Sequence, residues 1–247
     1  MGAIPIRAKP MAQRCARRPR KARQTAQGAL AGAAFCWILA TPALASQSPW
    51  SGAVILQADI PLAGAVAPGA AGFSKAYGPS LLAAVELQRR TGEQGEVFIA
   101  IAQASARGET FAAAGGAPAS ARLTSLRAAS LELGYRRRLL VFFAGVQPSL
   151  AIRAGLVRTD AIAMALRPSQ AGAAATSAGL TRDTTALMLG AELGLAYQIG
   201  RASEISADIG LRYAGPLLRD RSAGIGAGGG PDGRLSLPVG VRLTTRF

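Results

Sequence analysis

The last fourteen residues, Arg234 to Phe247, alternate to the end of the chain. Leu235, Leu237, Val239, Val241, Leu243 and Phe247 share one parity, and Ser236, Pro238, Gly240, Arg242, Thr244 and Arg246 share the other. A strand turns successive side chains to opposite faces, so a period of two predicts a strand with one apolar face and one face bearing arginines. A single such strand fits a soluble core as well as a membrane. The constraint comes from its repetition along the chain.

The alternation recurs seven more times. Val54 to Ile60, Leu81 to Gln88, Val97 to Gln103 and Ser130 to Tyr135 supply the first four segments, and Leu139 to about Ala151 the fifth. The last hairpin is the clearest. Leu187, Leu189, Ala191, Leu193, Leu195, Tyr197 and Ile199 share a face, and after Gly200 to Ala202 so do Ile205, Ala207, Ile209, Leu211 and Tyr213. Eight strands are an even number, which lets the first pair with the last and leave no open edge. Thr159 to Leu166 is a further alternating stretch, which makes ten strands the alternative count.

The links between segments alternate as well. Thr91 to Gly95, Arg136 to Arg138 and Gly200 to Ala202 are short, whereas about Pro61 to Pro79, Ala106 to Ala121, Arg153 to Arg182 and Gly215 to Gly233 are long. Short turns at one end and long loops at the other describe an all-β, transmembrane, antiparallel up-and-down barrel, and segments of about ten residues suit a tilted crossing. Charge then assigns the faces. Glu86, Glu132, Glu192, Asp208, Arg212 and Arg242 lie opposite the Leu, Val and Ile face, and a charge facing lipid at the midplane costs about 2–4 kcal/mol. These six are therefore expected inside, as a self-neutralising ion-pair network filling a narrow lumen. Tyr135, Tyr197 and Phe247 are expected as an aromatic girdle near the short turns. Arg127 breaks the pattern on the lipid parity, so it stands at the outer boundary or a bulge precedes Leu131. In the fifth segment Val141 and Phe143 share parity with Gln147, Ser149 and Arg153, which leaves its facing open.

Residues 1–45 read as a secretory signal peptide and residues 46–247 as the barrel. Eight Lys and Arg between Arg7 and Arg23 precede an apolar run, Ala29 to Leu44, which closes on Ala43-Leu44-Ala45 with cleavage after Ala45. The run is shorter than the roughly 20 residues a membrane helix needs. The chain carries 28 Lys+Arg against 13 Asp+Glu, a net charge of +15. Losing the eight leader bases lowers this to +7, so the basicity belongs largely to export and nucleic-acid binding is not expected. Both cysteines, Cys15 and Cys36, leave with the leader, which removes disulfides and thiolate metal sites from the mature chain.

With the export signal, the eight alternating segments and the terminal Phe247, the sequence resembles the small outer-membrane β-barrel family of Gram-negative bacteria, the OmpX and OmpA-barrel type. The resemblance implies outer-membrane residence, contact with lipid and lipopolysaccharide, and a terminal strand, with Leu243 and Phe247, that the barrel-assembly machinery reads. It implies fold and location more than activity.

The chain has no histidine, so Ser-His hydrolysis and His-ligated metals are absent, and no cofactor is expected. The run Gly224-Ile225-Gly226-Ala227-Gly228-Gly229 has the letters of a dinucleotide fingerprint without the βαβ setting and reads as loop. Phe73, Tyr77 and Phe111 are the aromatic contacts that the loops offer. The expectation is a non-enzymatic envelope protein acting through its long extracellular loops in envelope structure, surface interaction or adhesion. A narrow channel for ions or small solutes is the alternative, and a soluble periplasmic barrel binding an apolar ligand is a third reading that needs the faces inverted.

Overall fold

The computed structural model describes residues 48–64, 72–112, 119–140, 145–168, 176–218 and 233–247. The leader with Ala43 and Ala45, and the glycine run at 224–229, lie outside the described residues.

Twelve strands are present among the described residues: β1 (Trp50–Ala63), β2 (Ser80–Arg90), β3 (Gly95–Ala106), β4 (Thr110–Ala112), β5 (Ala119–Leu123), β6 (Leu126–Arg138), β7 (Val146–Thr159), β8 (Ala163–Pro168), β9 (Thr176–Gly179), β10 (Thr184–Gln198), β11 (Ser203–Ala214) and β12 (Arg234–Arg246). A single helical turn, α1 (Phe73–Ala76), precedes β2. Eight of the strands close a barrel in the order β1-β12-β11-β10-β7-β6-β3-β2, every neighbour antiparallel. The first and last strands meet from Ser51 opposite Arg246 to Ile60 opposite Leu237, so the terminal alternation completes the ring. The other four strands form a separate sheet, β4-β5-β8-β9. The barrel count is eight. The stretch suspected of adding barrel strands instead contributes β8 to the second sheet, by pairing with β5.

Side chains fall as the period of two requires. Ile101, Leu133 and Leu187 stand outside with 67, 62 and 62% of their surface exposed, while Glu86 and Glu132 inside have none. Burying a large aliphatic side chain is worth about 1.5–3 kcal/mol, so a ring of such residues left outside is stable only against hydrocarbon. The barrel strands, 11 to 15 residues long, exceed the roughly 9–11 needed to cross. This is a transmembrane barrel. Its charges point inward, Glu192, Asp208 and Arg242 all being 4% exposed or less, and the inverted soluble barrel is thereby set aside.

Three expectations need correction in the region of β6 and β7. Arg136 to Arg138 do not form a turn: they extend β6, with Arg136 and Arg138 buried in the lumen and Arg137 outside. The fifth barrel strand accordingly runs from Val146 to Thr159 and not from Leu139, and its inner face carries Ser149, Ala151 and Arg153. The third long connection therefore begins after Thr159 rather than at Arg153. Arg127 is exposed near the long-loop end of β6, and the β3–β6 register runs unbroken from Gly95 opposite Arg137 to Ala106 opposite Leu126, so no bulge intervenes.

The long connections at that end are tied together. Glu109 N–H donates to Ala76 O at 3.0 Å, Thr124 N–H to Ala163 O at 2.9 Å, and Arg182 N–H to Leu218 O at 2.9 Å, linking all four. Beneath these bonds Phe73, Ala76, Tyr77, Ala106, Leu123, Leu126, Ile162 and Leu217 form an apolar cluster over the barrel mouth. Phe73 and Tyr77 are thus core residues, 6 and 0% exposed, and not the free aromatic contacts that the sequence suggests.

Candidate functional site: the charged lumen and its cap

An eight-stranded barrel has an interior just wide enough for side chains to fill. Small residues on the inner face leave room for long ones, and here the long ones are charged. Near the short turns, Arg138 Nε donates to Glu96 Oε1 at 2.9 Å and its Nη1 to Glu204 Oε2 and, at 3.2 Å, to Gln147 Oε1. Further in, Arg136 Nη2 donates to Glu86 Oε1 at 3.0 Å, an oxygen that also accepts from Gln88 Nε2 at 2.7 Å. Arg242 Nη2 lies 3.2 Å from Asp208 Oδ2 and 3.3 Å from Glu192 Oε2. Arg153 bridges Glu132, at 2.7 Å, and Glu192. Arg212 is the member nearest the long loops, 3.9 Å from Glu132 Oε2.

All six residues singled out from the sequence lie in the lumen, and five of them, all but Glu86, join one network through Arg153 and direct ion pairs. Glu132 reaches Arg212, Glu192 reaches Arg242, and Arg242 reaches Asp208. Glu86 belongs to a pair with Arg136 that the sequence reading missed, as it missed Glu96, Arg138, Arg153 and Glu204. The signal for Arg136 and Arg138 was present: both continue the parity of Ser130, Glu132 and Gly134. Phe98 is the unexpected aromatic. It is 3% exposed in the lumen, with the Arg136 and Arg153 guanidinium carbons 4.9 and 5.3 Å from its ring centre. Gly134 provides its space, because a Cβ there would stand 2.2 Å from Phe98 Cζ.

The network has the chemistry of a plug. Each central carboxylate is held by guanidinium or amide donors, and its energetic role is asymmetric. A buried ion pair adds little net stability, but losing one partner leaves an uncompensated charge. Among the described residues no group of three or more acids, cysteines or histidines is placed to hold a metal ion.

The cap closes the other end. The Tyr77 hydroxyl donates to Thr124 O at 3.0 Å, and its ring lies 5.1 Å from that of Phe73. Burial holds the Tyr77 phenol above its ordinary pKa, against the opposing pull of the Arg234 guanidinium, so it remains a neutral donor. Between plug and cap lies a cavity of about 70 Å³.

At the short-turn end Tyr135 and Tyr197, two of the three aromatics expected in the girdle, are exposed on the outer surface at 41 and 51%, as is Trp50, which was not expected there, at 39%. Phe247 lies beside them in the chain's final position, close enough to Gly52 that a Cβ there would stand 3.2 Å from its ring. Leu243 sits opposite Val54 and Ile205, half-buried in the closing strand.

No protein-family model and no curated protein matches the sequence. Similar solved structures include Neisserial surface protein A, 11% identical over 81% of this chain and 98% of that one, with a TM-score of 0.48. A major outer membrane protein from Thermus thermophilus is 14% identical over 79% and 99%, also at 0.48. Ail, the attachment invasion locus protein of Yersinia pestis in complex with the heparin analogue sucrose octasulfate, is 14% identical over 79% and 99%, at 0.40. At these identities and scores the likeness carries no function from those proteins to this chain.

Proposed function

We propose that this chain is a non-enzymatic protein of the outer membrane of a Gram-negative bacterium, and that its long-loop face acts in envelope structure or surface interaction. The observation that carries this reading is the way the four long connections are built into one body. Strands β5 and β8 come from different loops and pair from Ala119 opposite Pro168 to Leu123 opposite Met164. Such a platform presents a fixed surface, as binding faces carried on rigid scaffolds do. A passage protein, in contrast, needs a free axis, whereas this barrel fills its axis twice.

The outward apolar belt supports contact with lipid and lipopolysaccharide, and the export leader supports delivery across the inner membrane. The alternating closing strand with Leu243 and Phe247 is the segment on which the barrel-assembly machinery would act.

Planar-bilayer recording tests the reading. The purified, folded protein is expected to give no reproducible conductance steps. A stable open channel whose conductance changes on charge reversal at Glu132 or Arg212 would replace this reading with one of ion or solute passage.

A further inference from the structure

The outer face of the barrel at the short-turn end carries two exposed arginines, Arg89 on β2 and Arg137 on β6. Neither forms an ion pair among the described residues: Glu96 is buried inside against Arg136 and Arg138, and Glu93 sits out in the β2–β3 turn. The loop side differs, since the exposed Arg158 there pairs with Asp183 at 3.4 Å. The Arg89 guanidinium carbon lies 5.5 Å from the Trp50 ring centre. Stacking of this kind engages the flat face of the guanidinium and leaves its edge of N–H donors open to a planar or tetrahedral anion.

The strand register gathers these groups. Trp50, Arg89, Val97 and Tyr135 stand directly opposite one another across β1, β2, β3 and β6. Arg137 is the next outer residue of β6 toward the turns, opposite Gly95, and a Cβ at Gly95 would stand 2.8 Å from Tyr135 Oη, so the hydroxyl reaches the row of Arg137. Arg89, Tyr135 and Arg137 thus place their donors within two strand spacings, about 10 Å. One outer step toward the membrane centre the surface is apolar, with Leu87, Ile99 and Leu133 exposed. Both arginines stand on the lipid-facing parity and not on the end of the barrel, which keeps soluble macromolecules from them. A fitting occupant has an anion at the level of the girdle and apolar tails that continue along the strands.

We propose that Arg89, Tyr135 and Arg137 form a binding site for an anionic diacyl phospholipid, of the phosphatidylglycerol kind, in the leaflet at the short-turn end. Its phosphate accepts from the two guanidiniums, charge-assisted bonds for which arginine geometry is suited, and its acyl chains lie along Leu87, Ile99 and Leu133. The site rests on the reading that the apolar belt contacts lipid, and it is independent of what the loop surface recognises.

The test uses the tryptophan that stands in the site. Trp50 is the sole tryptophan once Trp37→Phe is made. The folded protein in phosphatidylcholine vesicles is given brominated phosphatidylglycerol or brominated phosphatidylcholine at equal mole fraction, and quenching of Trp50 fluorescence reports which lipid sits there. A preference for phosphatidylglycerol of at least about fivefold is expected, the contribution of a single arginine near an anionic lipid. Arg89→Gln/Arg137→Gln is expected to bring the ratio to about one, and Arg127→Gln, at the loop rim, to leave it unchanged. Each variant is first checked for the heat-dependent gel shift of a folded barrel. Equal quenching by the two lipids in the parent, or an undiminished ratio in the folded double variant, would overturn the proposal. So would loss of the preference on adding glycerol phosphate, which marks an anion site indifferent to acyl chains. Quenching by neither lipid would overturn the lipid contact of the belt itself, and the site with it. If the double variant does not fold, Arg137→Gln alone carries the same test, since that side chain makes no hydrogen bond or ion pair among the described residues. It is expected to lower the ratio at least about twofold, and an unchanged ratio would overturn the proposal equally.

Discussion

Glu132 is one of the two acids, with Glu192, that join several arginines in the lumen. It is fully buried, accepts from Ser130 and Arg153, and is the acid nearest to Arg212. Replacing it with alanine strands part of the charge of two guanidiniums away from water, and loss of one member of a buried pair costs about 3–5 kcal/mol. Glu132→Ala is therefore expected to lower the unfolding free energy by an amount of that order, read from the urea midpoint of the folded protein. The double variant Glu132→Gln/Arg153→Met is expected to lose less than the sum of its single changes, because the second removes the charge that the first exposes. Additive losses would mean that the two side chains are not coupled. Glu132 was legible from sequence, since it stands alone among apolar and small residues in a clean alternation. Arg136 and Arg138 were not read as lumen residues, because three consecutive arginines resemble a solvated turn until Glu86 and Glu96, contributed by β2 and β3, are seen opposite them, and Arg153 was left open because it shares parity with Val141 and Phe143.

The strands carry the same logic along their length. On β6 the outer face passes from Tyr135 through Leu133 and Leu131 to Arg127, so one strand samples the membrane from girdle to loop rim. A cation introduced at the midplane of the lipid face costs about 2–4 kcal/mol, falling to about 0–1 near the interfaces. Leu133→Arg is accordingly expected to destabilise the barrel by the larger amount in lipid vesicles, and Arg127→Leu to change stability by less than about 1 kcal/mol. Equal effects at the two positions would place the membrane elsewhere on this strand. Seven of the eight barrel strands were legible, because each alternates between clear turn signals. The segment beginning at Leu139 failed because Leu139 and Leu140 are consecutive apolar residues that resemble a strand start, whereas both lie after the end of β6 and belong to no strand. The cap was illegible for a different reason. Phe73, Tyr77, Ile162 and Leu217 come from three separate loops, and nothing local in any of them announces that they meet.

At the scale of the whole molecule, two separate layers of described residues stand across the barrel axis. The charged layer is made by strands, with partners contributed around the ring: Glu86 from β2, Glu132 and Arg136 from β6, Arg153 from β7, Glu192 from β10, Arg212 from β11 and Arg242 from β12. The cap is made by loops and held by backbone bonds among them. Because β1 pairs with β12, neither layer is needed to hold the ring closed. A lesion in one should leave the other in place. Tyr77→Ala combined with Phe73→Ala removes the two cap aromatics, and Arg153→Ala combined with Phe98→Ala opens the charged layer. Each pair alone is expected to remain silent in planar bilayers, while the four changes together give measurable conductance in a barrel that still shows the heat-dependent gel shift. Conductance from the cap lesion alone would mean that the charged layer leaves a continuous path for ions. Conductance from the lumen lesion alone would mean that the loops bound together at the mouth form a platform and not a seal, which separates the surface role of that face from any part in closing the pore.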